Sequence, residues 1–132
     1  MRPSIQAGAM SVASLHNLEG LHMVDTLASN QAAQTAACKL LDAMSNAKRL
    51  QVLALLSDGE MAVGALAEKV ELSQSALSQH LAKLRAAGLV STRREAQTIY
   101  YSCESSPVHS VLATLRGIYT GTGPSRIAGK TA

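Results

Sequence analysis

A chain of 132 residues that is 47% hydrophobic and 16% charged has room for one compact domain with loose ends, and it is no disordered polyelectrolyte. Its only aromatic residues are three tyrosines, which excludes folds that stack nucleic-acid bases on aromatic platforms, and no run of about 18 apolar residues is present to span a membrane. The formal net charge of +3 hides an asymmetry: residues 1–72 carry five Lys and Arg against seven Asp and Glu, whereas residues 73–132 carry seven against two. A basic half of this kind suits a polyanionic partner.

Residues 1–28 are rich in Ser, Ala and Gly, with a weak amphipathic stretch from Val12 to Leu27. They are expected to form a poorly ordered arm, in which Met10 and Met23 are alternative starts. The opening MRPSIQAGAMSVAS lacks the apolar segment of a signal peptide, and cysteines as far apart as Cys38 and Cys103 make a poor disulfide framework. Both features point to a reducing cytoplasm.

From residue 33, Ala33, Ala36, Ala37, Leu40, Leu41 and Met44 recur at steps of three and four, which predicts a helix with one apolar face. Asn46 is placed to cap a second helix, AKRLQVLALLS, ended by Asp58-Gly59. A short helix in VGALAEKV and a tight turn at Glu71-Leu72 follow. Ser73 is the expected cap of a fourth helix, QSALSQHLAKLRAA, stopped by Gly88. The period then changes. LVSTRR and QTIYYS are rich in β-branched and aromatic residues and read as a β-hairpin turning at Glu95-Ala96. Ser106, followed by Pro107, is the expected cap of a last helix striped with Val108, Val111, Leu112, Leu115, Ile118 and Tyr119. Residues 121–132 form a loose tail, so the folded domain is expected over residues 29–120.

The order of short helix, tight turn, helix and basic hairpin is that of a winged helix-turn-helix, mainly α with a β-hairpin wing. With Leu77, Leu81 and Leu84 as the buried stripe of the fourth helix, 100° steps turn Ser75, Gln79, Ala82, Lys83 and Ala86 outward, with Ser78 on the flank. That face is small and uncharged near its start and basic one turn later. Gln and Ser exchange hydrogen bonds with base edges, Ala permits close approach, and Lys meets phosphate at the rim of the groove. Gln74, in the first turn, points along the axis toward the groove floor. Arg93, Arg94 and Gln97 on the hairpin are expected to touch phosphate or a neighbouring minor groove, unless the arginines merely solubilise an edge strand. Lys48 and Arg49 lie either at the DNA backbone or on a solvated face. The candidate partner is therefore double-stranded DNA. The competing function for the same face is protein docking, against which the lack of large apolar anchors counts.

The run MAVGALAEKVELSQSALSQHLAKLRAAGLVSTRREAQTIYYS, with LLDAMSNAKRLQVLALLSDGE before it, resembles the DNA-binding core of the ArsR/SmtB family of bacterial repressors over roughly residues 33–120. The resemblance implies a homodimeric repressor in which the first and last core helices pair across a two-fold axis and two recognition helices enter a palindromic operator. It also implies where signals act, and this chain departs there. Ala62, Gly64 and Ala67 stand where metal-sensing members carry cysteines before the turn. His109, with Pro107 two positions earlier and Thr120 later, does not reproduce the terminal-helix metal site. Ala54 and Thr120 match the cysteines of members that sense sulfur species or oxidants. No metal site, cofactor or inducer is thus specified. Cys38 and Cys103 are either unremarkable reduced thiols or the pair of a thiol-responsive repressor. No paired carboxylates, Gly-rich phosphate loop, HExxH motif or Ser-His-Asp set is present, so no catalytic residue is expected.

Overall fold

The computed structural model describes residues 27–121; the amphipathic stretch expected from Val12 and the tail beyond residue 121 lie outside the described residues. The chain divides into two units, residues 1–39 and 40–132. In the first, Asn30 opens helix α1 (Gln31–Met44): its Oδ1 accepts from the Ala33 N–H at 2.9 Å and its carbonyl from Gln34 N at 3.0 Å. The helix therefore starts two residues before the periodic apolar stripe, because the cap and not the stripe satisfies its first amides.

In the second unit the last turn of α1 buries Ala43 and Met44. Helix α2 (Ala47–Asp58) begins at Asn46, whose Oδ1 accepts from Lys48 N at 2.9 Å and Arg49 N at 3.0 Å. It ends at Gly59 with φ 161°, so the chain leaves by extension and not by the left-handed turn that Asp58-Gly59 suggests. Extension leads into strand β1 (Met61–Ala62), then helix α3 (Val63–Val70) and helix α4 (Gln74–Ala86). Strands β2 (Ser91–Glu95) and β3 (Thr98–Ser102) form the hairpin, and helix α5 (Ser106–Tyr119) closes the described chain.

The sheet is three-stranded and antiparallel, in the order β1-β3-β2. Its third strand is invisible to periodicity, since two residues carry no pattern; pairing of Met61 with Tyr101 and Ala62 with Tyr100 defines it. The hairpin register runs from Ser91↔Ser102 to Glu95↔Thr98, so the loop is Ala96-Gln97, one residue later than expected. Ala96 takes φ 58°, the positive value a two-residue hairpin turn demands. The cap of α5 is Ser105, whose Oγ accepts from Val108 N at 3.3 Å, not Ser106.

The core is where the helices of this unit meet. Leu53 and Leu56 of α2, Leu66 and Val70 of α3, Leu77, Leu81 and Leu84 of α4 and Val108 of α5 are all 0–2% exposed. Each such side chain contributes about 1.5–3 kcal/mol of burial, so α4 is held along its whole length. Two left-handed residues shape its ends. Glu71, φ 59°, ends α3, with its own N–H on Glu68 O and Leu72 N on Ala67 O. A non-glycine residue there costs about 1–2 kcal/mol, offset by the carbonyls those two bonds satisfy. Gly88, φ 75°, repeats the motif after α4 through Arg85 O and Leu84 O, at no steric cost. Among the described residues no helix is long and apolar enough to cross a membrane.

Candidate nucleic-acid interface

Helix α4 is fixed at its start by Ser73, whose Oγ accepts from Ala76 N at 3.1 Å. Three leucines hold its inner face, and Ser75, Ser78, Gln79, Ala82, Lys83 and Ala86 are exposed on the outer one. Ser75 Oγ lies 3.4 Å from Ser73 Oγ, beside the cap. Gln74 is exposed in the first turn, and its Nε2 lies near α3: a β-carbon built at Gly64 would stand 3.8 Å from it. His80 is half-buried at the edge of the leucine stripe.

The two hairpin arginines part company. Consecutive strand residues face opposite sides, and the register pairs Arg93 with Tyr100 and Arg94 with Ile99. Tyr101 packs on the core with Met61, so Tyr100 is on the outer face. There the Arg93 guanidinium lies 4.5 Å from the Tyr100 ring centroid and pairs with Glu60 and Glu95 at 2.7 and 2.8 Å. Arg93 is thus engaged within the domain, whereas Arg94 makes no ion pair with any described residue. Hydrogen bonding from Arg93 holds the Glu60 carboxyl below the usual carboxylate range, against an opposing push from desolvation and with help from the Arg93 charge. A depressed carboxylate pKa keeps its stabilisation above the unfolded value and loses it only as pH falls through the folded one, so this pair is intact at neutral pH. Gln97 is exposed in the hairpin loop. Nothing in the sequence singles out Glu60, 33 positions from Arg93.

Lys48 is half-buried and Arg49 buried, and each is tied to the end of a neighbouring helix. Lys48 Nζ donates to Val70 O at the end of α3. Arg49 is 9% exposed, with Nε on Ala43 O at 2.7 Å and Nη2 on Asp42 O at 2.9 Å, where α1 ends. Each cation sits at the C-terminal end of a helix, where the partial negative charge of the last carbonyls favours it. His109 is exposed, with its Nε2 3.0 Å from Cys103 O.

Cys38 is exposed and Cys103 buried, both as free thiols. Burial pushes the Cys103 thiol up, only partly opposed by the Ser105 backbone and the Ser57 hydroxyl, so little thiolate forms near neutral pH. A thiol-specific disulfide reagent should therefore label Cys38 within its mixing phase and reach Cys103 only after denaturant is added; equal fast labelling of both would refute that burial. Ala54 and Thr120, where a sulfur switch would need cysteines, both line one apolar groove of about 360 Å³ between α2 and α5. Among the described residues no group of three or more His, Cys, Asp or Glu is placed to hold a metal ion.

Residues 46–92 match the family model of bacterial regulatory proteins of the arsR family. Nodulation protein NolR of Rhizobium meliloti is 64% identical over 83 residues, covering 63% of this chain and 68% of that protein. The chain belongs to the arsR family. Its likeness to other arsR-type regulators extends to transcriptional activator HlyU of Vibrio cholerae, 54% identical over 80 residues, 61% of this chain and 74% of that one. The crystal structure of NolR from Sinorhizobium fredii matches with TM-score 0.64 at 60% identity, over 67% of this chain and 89% of that chain. Mb0332 of Mycobacterium bovis, described as a homodimeric winged helix-turn-helix DNA-binding domain and a possible ArsR-family regulator, matches with TM-score 0.61 at 32% identity over 67% of this chain and 82% of that chain. In this arsR-family chain α3 and α4 are the helix-turn-helix, and β2 and β3 are the wing.

Proposed function

We propose that the chain is a sequence-specific transcriptional repressor that occupies a palindromic promoter site as a homodimer, with residues 29–120 as the working domain. The observation that carries this reading is α4 itself: three leucines 0–1% exposed on one side, and Ser75, Ser78, Gln79 and Lys83 exposed on the other. Gln79 and the serines read base edges, Lys83 and Arg94 meet phosphate, and Gln97 lies at the tip of the wing. Gln74 contacts bases from the first turn of the same helix. Homodimerisation is supported by the exposed Leu41 on α1 and Ile118 and Tyr119 on α5, and by the homodimer described for Mb0332. Half-site centres are then about 10 base pairs or a multiple apart.

The signal is not one of the metals sensed through thiolates at the turn, since Ala62, Gly64 and Ala67 offer no donor atoms. The buried Cys103 argues against a Cys38–Cys103 switch as well. The sign of regulation, repression, comes from the family resemblance; the relative HlyU is described as an activator.

Recovery of bound fragments from the source genome, followed by gel shift on the recovered site, tests the whole reading. Gln79→Ala should lose about 1–3 kcal/mol of preference for the recovered site over random duplex while keeping its affinity for the latter. Wild-type discrimination in that variant would remove Gln79 from the base-reading set.

A further inference from the structure

Arg93 on β2, Tyr100 on β3 and Ala62 on β1 stand in one row across the three strands of the sheet. The Arg93 guanidinium covers the Tyr100 ring and runs on to Glu60, the residue before β1. Nε donates to Glu60 Oε2 at 2.7 Å and Nη2 to Glu60 Oε1 at 2.9 Å, the paired bonds a planar guanidinium makes with a carboxylate. Nη1 donates to Glu95 Oε1 at 2.8 Å. Every nitrogen of the group is engaged. We propose that Arg93 is a positioning residue that clasps the wing to the body of the domain through Glu60, and that it acts on DNA only through the placement it gives Arg94. This rests on the DNA-binding reading above.

The wing needs such a clasp. Strand β2 joins the sheet through β3 alone and all five of its residues are exposed, so no buried side chain on it sets the tilt of the hairpin. Strand β1 in turn holds β3 by only two residue pairs. A side chain reaching from β2 across β3 to the start of β1 ties the free edge to the body directly. An isolated exposed ion pair does little, but a forked pair with a second carboxylate and a ring beneath it is a network.

The charge balance points the same way. One cation faces two carboxylates, so a phosphate approaching Arg93 meets a cluster of net negative charge. Freeing the fork for DNA would leave Glu60 and Glu95 opposite an anion. Arg94, on the other face, has no such ties and is one residue from the end of the strand. Its charge is uncommitted.

The test uses the full chain and a random-sequence duplex of two to three helical turns, with affinity followed by fluorescence anisotropy over a KCl series. Arg94→Gln should flatten the logarithmic salt slope by about 0.9 for each phosphate it no longer neutralises. Arg93→Gln should weaken binding severalfold in the wild-type background, yet change neither affinity nor slope once Arg94 is already Gln. Arg93→Lys keeps the charge but not the fork, and should behave like Arg93→Gln. A further flattening by about 0.9 per phosphate in the double variant would show that Arg93 meets phosphate itself and overturn the proposal. Full binding by Arg93→Lys, or by Arg93→Gln, would overturn it too, the first because charge alone suffices and the second because the clasp is idle. Failure of the wild-type chain to bind duplex at low salt, with an unchanged thermal melt, would instead remove the DNA-binding reading on which the clasp depends.

Discussion

Ile118→Glu yields a chain that light scattering reports as a monomer and that binds its recovered operator about 10²–10⁴-fold more weakly than wild type. Ile118 is 63% exposed and Tyr119 beside it 78%, while Leu41 on α1 is 56% exposed. Large apolar side chains so open on two helices are the face a second copy would cover, and each one covered contributes about 1.5–3 kcal/mol. In a two-fold interface every substitution acts twice, and a carboxylate opposed to its own copy adds repulsion. The variant alters nothing in the core, so its single-chain fold should persist, as circular dichroism will show. Operator affinity falls because each half-site is then bound without the help of the other. A dimer of unchanged stability in the variant would place the interface elsewhere, and a monomer that still binds a palindrome at full strength would separate dimerisation from DNA recognition.

Arg49→Ala has the largest expected effect on stability, roughly 3 kcal/mol, because two charge-assisted hydrogen bonds disappear. Its guanidinium is nearly buried and supplies donors to Ala43 O and Asp42 O among the last carbonyls of α1. Alanine strands the Ala43 carbonyl, leaves Asp42 O with only the Ser45 backbone and hydroxyl donors, and opens a space where the side chain was. Arg49→Lys keeps the charge but, with one point donor in place of a fork, should recover only part of the loss. Urea denaturation at fixed protein concentration measures both, since the proposed dimer would make apparent stability depend on concentration. A loss under about 1 kcal/mol for the alanine variant would mean that water replaces the guanidinium at those carbonyls.

Arg49 and Arg93 illustrate one limit of the sequence. Both are basic residues within a chain that reads as DNA-binding; local pattern puts Arg93 on the wing and leaves Arg49 either at the DNA backbone or on a solvated face. The structure engages each with the protein: Arg49 with the carbonyls that end α1, Arg93 with a carboxylate 33 positions away. No periodicity carries such a pairing, because it depends on which elements the fold brings side by side. The same limit hides β1, whose two residues become a strand only through their partners on β3.

What the amino-acid order determined alone is whatever closes within a turn or two of chain. Asn46 and Ser73 bond amides two or three residues on, Gly88 supplies a left-handed backbone at no cost, and the spacing of Leu77, Leu81 and Leu84 sets the buried side of α4 and with it the exposed strip of Ser75, Gln79 and Lys83. These depend on short-range geometry that every helix shares. Which cations remain free, which thiol is buried and where the hairpin turns were decided only by tertiary packing. Burial and ion pairing are set by neighbours distant in the chain, and the loop at Ala96-Gln97 follows from the register that β3 imposes on β2.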